Sequence, residues 1–332
     1  MFNLWRRRAK SDRRHVLLWC GSFWGRQHLT IGDAHAVENL SERLRASGFE
    51  HCILSESDWE FTSAPTVRTI RDLGDHLDSL ILVCGPLAEH ARLRELIEKH
   101  PCARKIGVGV SVLANQTAFT RCFDAVLARD GTPDATFDLA PARFAAIPTV
   151  PPPANERSIA LCFVGKQAEY GAGRSSLHKQ AHDLLMRSAK RTGLPLKTVS
   201  TVLSGPRNGE RQILEGFQGS QIVATTRLHG SLYGLLNGRA VVAVDQIPGG
   251  AKVSDVLGRI GWPLVFRADQ ADEKLIDEAF QIARSGDLRN DIERARRELI
   301  ARSEAALRKS VSLIVEGRCR SSREPDARVT NA

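Results

Sequence analysis

The stretch TTRLHGSLYGLLNG, Thr225 to Gly238, sets an arginine and a histidine within three residues. It follows the β-branched run QIVA and opens a helical pattern of small and apolar residues. Arg227 and His229 are therefore expected at the carboxyl end of a buried strand, beside the positive end of a helix dipole, where an anion is stabilised. Arginine forks onto a phosphate or carboxylate. Histidine is the side chain that exchanges protons near neutral pH. The structural alternative is an arginine capping a neighbouring helix and a histidine satisfied in the core.

A second chemical edge lies near the start of the chain, in GSFWGRQHLTIGDAHA. Gly21, Gly25 and Gly32 make a permissive loop, and Asp33 stands where a helix N-cap belongs. Asp33 is either that cap or a base on an acceptor hydroxyl. Arg26 and His28 share the loop, and Trp24 can stack on a sugar or cover the sheet edge. A third loop, VGKQAEYGAGRSS, lacks the G-x-x-x-x-G-K-[ST] spacing of a phosphate loop, so a nucleotide hydrolase is not expected. Lys166 and Arg174 remain candidates for an anion site there. His178 and His182 are four apart, but no glutamate stands between them as in H-E-x-x-H, so no metal is expected.

These edges need strands and helices to hold them. HVLLWCG, HCILSES, SLILVCG, RKIGVGVSV and DAVLARD read as strands. AHAVENLSERLRASG, TVRTIRDLGDHLD and LAEHARLRELIEKH read as helices between them. Five prolines between Pro141 and Glu156 interrupt the alternation and read as a linker. It resumes with strands SIALCFVG, LKTVSTV, QIVATT, AVVAVD and PLVF among four helices, then closes with long helical patterns from Glu273 to Gly317. Alternation of this kind implies doubly wound parallel sheets. The expected architecture is α/β, with two Rossmann-like domains flanking an interdomain cleft. The boundaries expected are a basic disordered tail at 1–14, an acceptor-side domain at 15–150, a Pro-rich linker at 151–157, a donor-side domain at 158–317 and a second disordered tail at 318–332.

Composition fits this reading. The 332 residues are 42% hydrophobic and 26% charged, ordinary for globular domains. The net charge of +9 is concentrated in the two tails, so the body is nearly neutral and nucleic acid is not an expected partner. The basic WRRRAKSDRR reads first as a solvated disordered tail, with weak peripheral association with anionic lipid at the inner membrane surface as the alternative. Seven cysteines without a paired spacing point to a reducing, cytoplasmic setting. HVLLWCGSFW is too short and lacks the cleavage site of a signal peptide, and no run approaches the ~18 apolar residues of a membrane span.

Taken in order, these segments resemble the polysaccharide pyruvyl transferases. VATTRLHGSLYGLLNGRAVVAVD is similar to that family's signature segment, and AKVSDVLGRIG to the segment after it, with Lys252 at the family's lysine. TIGDAHAVENL, LILVCGPL, KIGVGVSVL, VLARD and TFDLA resemble further pieces, so that the likeness runs from about Val16 to about Val265. Ile31 replaces a frequent asparagine, and Lys166 stands near the position of a frequent arginine. The resemblance implies a fold similar to GT-B glycosyltransferases. It also implies transfer of a pyruvyl group from phosphoenolpyruvate onto two hydroxyls of a sugar or lipid-linked oligosaccharide, giving a cyclic ketal and phosphate. On it, His229 and Asp33 are the catalytic candidates. Arg227, Gly230, Ser231, Lys252, Lys166, Gly32 and Arg26 are the substrate-binding ones. The reaction calls for an acid, a base and fixed cations, with phosphoenolpyruvate as donor substrate and no cofactor. A GT-B glycosyltransferase using a nucleotide sugar is the main alternative. A catalytically silent glycan-binding or scaffold protein of a polysaccharide assembly system is the other.

Overall fold

The computed structural model describes residues 14–19, 29–149, 157–171, 174–203 and 208–321. Two separate parallel sheets appear, each covered by helices. In the first half, strands β1 (Arg14–Trp19), β2 (Cys52–Leu54), β3 (Thr66–Val67), β4 (Leu77–Val83), β5 (Pro86–Leu87), β6 (Arg104–Val112) and β7 (Ala125–Asp130) share one sheet. Its core order is β3-β2-β1-β4-β6, with β7 also on β6. β5 pairs β6 just beyond the end of β4, at Pro86–Ser111, so it carries the β4 line onward past an irregular step. That step is Cys84–Gly85, both left-handed (φ 62° and 76°). A cysteine in this region costs of order 1–3 kcal/mol and marks a place the surroundings over-determine.

The second sheet has order β12-β11-β10-β8-β9, from β8 (Ile159–Cys162), β9 (Leu196–Thr198), β10 (Ile222–Thr225), β11 (Ala240–Asp245) and β12 (Val265–Arg267). Its β10 and β11 are buried throughout and apolar up to their last residues, Thr225 and Asp245, as both faces of a parallel sheet require.

The helices are α1 (Ile31–Ala46), α2 (Ala91–Lys99), α3 (Thr117–Thr120), α4 (His178–Arg191), α5 (Asn208–Gln218), α6 (Leu228–Leu236), α7 (Lys252–Arg259), α8 (Glu273–Ser285) and α9 (Arg289–Ser321). One expected helix is absent. TVRTIRDLGDHLD forms β3, a single 3-10 turn at Ile70–Asp72 and the start of β4. Its β-branched Thr66 and Val67 extend along Ile53 and Leu54, and Gly74 follows the turn before a helix can propagate. The expected tail boundaries also move: Arg14 already belongs to β1, and α9 runs past Gly317 to Ser321. The Pro-rich 151–156 lies outside the described residues. No described helix is long and apolar enough to cross a membrane.

Three contacts stitch the halves together. Ile31 N donates to Thr201 O and Leu203 N to Leu29 O, at 2.8 and 2.9 Å, about an antiparallel bridge at Thr30–Val202. Arg259 of α7 donates to the carbonyls of Arg129 and Thr136 at 2.5 and 2.6 Å. α9 then runs across both halves. Arg296 binds the Leu236 and Phe144 carbonyls, while Ser303 Oγ accepts from Ala142 N.

One side chain fixes where α7 begins. The buried Asp245 carboxylate at the end of β11 accepts from the backbone N–H groups of Ile247, Ala251 and Ser254 and from Ser254 Oγ, all within 3.0 Å. It thus satisfies donors that a helix start leaves open. Asp245→Ala strands these donors, and hydrogen bonds to a charged group contribute about 1.5–3 kcal/mol each. The variant is expected to lose about 3 kcal/mol of stability in urea unfolding, with Asp245→Asn losing less; an unchanged midpoint for the alanine variant refutes this role.

Candidate functional site

Five chain segments converge where the carboxyl edges of the two sheets meet. Cys84 follows β4, β6 contributes Ser111, and β7 ends in Arg129 and Asp130. Asp138 follows β7, and the start of α6 brings Arg227 and His229. In α/β folds this edge is where ligands bind.

The centre is Arg129, 2% exposed. Its Nη1 donates to Asp138 Oδ2 at 2.7 Å, its Nε to Asp130 Oδ2 at 2.9 Å and its Nη2 to Ser111 Oγ at 2.7 Å. Ser111 Oγ donates in turn to Asp130. Burial opposes the charge on Arg129, but Cys84, Asp138 and Asp130 outweigh it and the group stays a cation. Burial likewise opposes ionisation of Asp138. The attraction of His229 and Arg129, with hydrogen bonds from His229 and Ala140 N, overcomes it and holds the carboxyl well below the usual carboxylate range.

His229 Nε2 lies 3.2 Å from Asp138 Oδ2. Asp138 therefore orients the imidazole and leaves Nδ1 unpartnered among the described residues. Gly32 sets the other side of the ring. A Cβ there would stand 2.2 Å from His229 Cγ and Nδ1, so only glycine lets α1 approach this closely.

Arg227 is the N-cap residue of α6. Its Nε donates to Phe163 O and its Nη1 to Thr201 Oγ1, at 2.9 and 2.8 Å. The guanidinium is thereby aimed by the same 201–203 segment that joins the halves. Lys252, first residue of α7, lies 3.7 Å from Glu169 Oε1 and 5.9 Å from the centroid of Tyr170. Burial pulls the Lys252 pKa down, but Tyr170, Glu169 and Asp130 outweigh it and leave the ammonium charged. Arg174 faces Tyr170 as well, at 5.7 Å.

Several expected site residues stand elsewhere. Asp33 is not the N-cap of α1. Thr30 is, and Asp33 is the third helical residue of a capping box: Thr30 Oγ1 donates to Asp33 Oδ2 at 2.7 Å and accepts from Asp33 N at 3.3 Å. Its other oxygen accepts from Cys84 Sγ at 3.3 Å. The T-x-x-D spacing of Thr30 and Asp33 is the cap signal in the sequence. Ser231 is fully buried and donates to the Arg227 carbonyl, so it steadies α6 and does not face the cleft. Gly230 packs on Thr225 and Cys162, where a Cβ would come within 2.4 and 2.9 Å. Lys166 is exposed. Arg26, with Trp24 and His28, lies outside the described residues.

His178 and His182 are turned to backbone carbonyls, Ser176 O and Val164 O. Cys84, Asp138 and His229 bring three potential metal-ligand atoms within 4.8 Å of one another. The Arg129 Nη1 already sits between two of them, 2.7 Å from Asp138 and 3.4 Å from Cys84, so a cation there would meet a fixed positive charge.

No protein-family model matches the sequence, and none of the curated proteins matches it. Solved structures do. A glycosyltransferase from Rickettsia africae is 13% identical, with a TM-score of 0.50 over 92% of this chain and 99% of that one. Os79 from O. sativa, solved in complex with UDP, is 12% identical, with a TM-score of 0.50 over 91% and 99%. The likeness is one of architecture: the chain has a GT-B-like fold of two Rossmann-like domains.

Asp138 gives the site a measurable pH signature. A carboxyl whose folded pKa lies below its unfolded value of about 3.9 adds stability above that value and loses it as pH falls toward the folded one. Breaking a buried ion pair costs about 3–5 kcal/mol. The stability gap between wild type and Asp138→Asn is expected to be present above about pH 5 and to shrink below about pH 4. A gap that is missing at neutral pH, or unchanged into acid, contradicts the assignment.

Proposed function

We propose that the protein transfers a pyruvyl group from phosphoenolpyruvate to two hydroxyls of a sugar acceptor in a cell-surface glycan, releasing phosphate. The observation that carries this reading is the His229–Asp138–Arg129 chain, with Arg227 two residues before His229 and Lys252 coupled to Asp130 beside Arg129. It combines one proton-exchanging group with two fixed cations for a compact anion. The stitching on both sides of His229, through residues 29–31 with 201–203 and through Arg259, supports a small donor. The ordered resemblance of the motifs supports the same choice.

On this reading Arg227 and Lys252 hold the donor's phosphate and carboxylate. His229, oriented by Asp138, protonates the methylene carbon of the enol. The carbon bearing the phosphate oxygen becomes oxocarbenium-like, and a sugar hydroxyl adds to it as its proton passes to the imidazole. Phosphate departs with its bridging oxygen, and the second hydroxyl closes the ketal as its proton passes to the phosphate. Asp33, engaged by Thr30 and Cys84, is a support for α1 and not the base.

The second reading is a glycosyltransferase using a nucleotide sugar, which the GT-B-like fold favours. There Arg227 and Lys252 would face a diphosphate and His229 would take the acceptor's proton. Phosphate release from phosphoenolpyruvate with candidate glycans, set beside turnover of nucleotide sugars, separates the two. His229→Gln is expected to lower phosphate release by ~10²–10⁴-fold, the usual loss with a general acid or base, while the fold persists. Arg227→Lys keeps charge but loses the planar fork, so it should raise the apparent donor KM. Full turnover by His229→Gln removes the imidazole from the mechanism; turnover of a nucleotide sugar alone favours the second reading.

A further inference from the structure

One turn beyond His229 in α6, and one turn beyond Gly32 in α1, a second contact joins the same two helices. Tyr233 Oη meets His35 Nδ1, and His35 Nε2 lies 2.8 Å from Glu210 Oε1 of α5. With the Nε2–H donated to Glu210, Nδ1 accepts the Tyr233 hydroxyl, so both ring nitrogens are satisfied. Tyr233 is fully buried and His35 is 3% exposed. The Tyr233 ring is fixed edge-on against Phe144, centroids 5.4 Å apart, and T-shaped to His229 at 6.5 Å.

Spacing makes these two contacts a pair. Gly32 and His35 are three apart in α1, and His229 and Tyr233 are four apart in α6, so each pair shares one helix face. The first rung has no side chain on the α1 side: the His229 ring simply lies against Gly32. Packing against a glycine sets a minimum distance and supplies no bond that holds α6 there. The second rung supplies it. We infer that Tyr233, anchored by His35 and Glu210, is a positioning residue that holds α6 on α1 and thereby keeps His229 seated on Asp138. A buried polar chain suits this task, since it is satisfied in only one register of the two helices.

The functional consequence rests on the reading proposed above; the geometric one does not. The His229 N–H bonded to Asp138 should give a downfield proton resonance, assigned by its loss in His229→Gln. Tyr233→Phe keeps the ring and its packing but removes the hydroxyl. It is expected to shift or broaden that resonance and to lower kcat by ~10–10²-fold, in line with small misplacements of a reacting group, with the donor KM within about twofold. Glu210→Ala should do the same. Glu210→Gln, whose amide oxygen still accepts from His35, should recover part of the loss, which mere loss of packing would not predict. Tyr233→Phe with an unmoved resonance overturns the inference. The resonance is read without turnover, so a wild-type protein that releases no phosphate from phosphoenolpyruvate sinks the proposed function and still leaves the positioning role decided.

Discussion

The placement of one buried charge governs the site. Arg129 cannot shed its proton and cannot reach water, so its surroundings must supply anions and acceptors. Asp130, Asp138 and Ser111 do so. Each comes from a different point along the carboxyl edge of the first sheet, and that edge is therefore drawn together around the guanidinium. Asp138 has a second oxygen tied to Ala140 N, which leaves its Oδ2 to be shared between Arg129 and His229. The imidazole of the second domain thus docks on a carboxylate that the first domain holds in place.

That arrangement explains why the halves are joined on several sides and not through a hinge alone. A histidine reaching across a cleft to a fully buried carboxylate keeps its geometry only if the cleft does not gape. The backbone bridge at Thr30–Val202, the Arg259 contacts to the carbonyls behind Arg129, and α9 lying over both halves all oppose such opening. The Cys84–Gly85 irregularity belongs to the same logic. It breaks the β4 line at the level of the site, turning the Cys84 thiol toward Asp33 and Arg129 where a regular strand would place it along the pleat.

Much of this was legible in the sequence because it is local. Alternation of apolar runs and helical periods revealed the doubly wound sheets, and the strand-to-helix junction placed Arg227 and His229 at the edge. Other features were local signals misread. At 66–78 a three-residue apolar spacing imitated a helix, but pairing of Thr66 and Val67 along β2 overrode it. At the start of α1 the cap is Thr30, and Asp33 completes its box. What the sequence could not reveal is tertiary. VLARD and TFDLA were visible as segments, yet only the fold brings Arg129 to Asp138 and Asp138 to His229. Gly32 read as loop permissiveness, whereas its reason is the histidine ring of another domain.

The correction at Asp33 bears on the chemistry. Asp33 is engaged by Thr30 and Cys84, and Asp130 by Arg129 and Ser111, so among the described residues His229 is the group we propose for the proton transfers. On the proposed reading one imidazole then serves twice. As an acid it gives its proton to the enol carbon, and the imidazole left behind accepts the proton that a sugar hydroxyl must release as it adds. Asp138 holds the ring through Nε2 for both transfers, and Arg129 holds Asp138. Acid and base need not be two residues when the second role is created by performing the first.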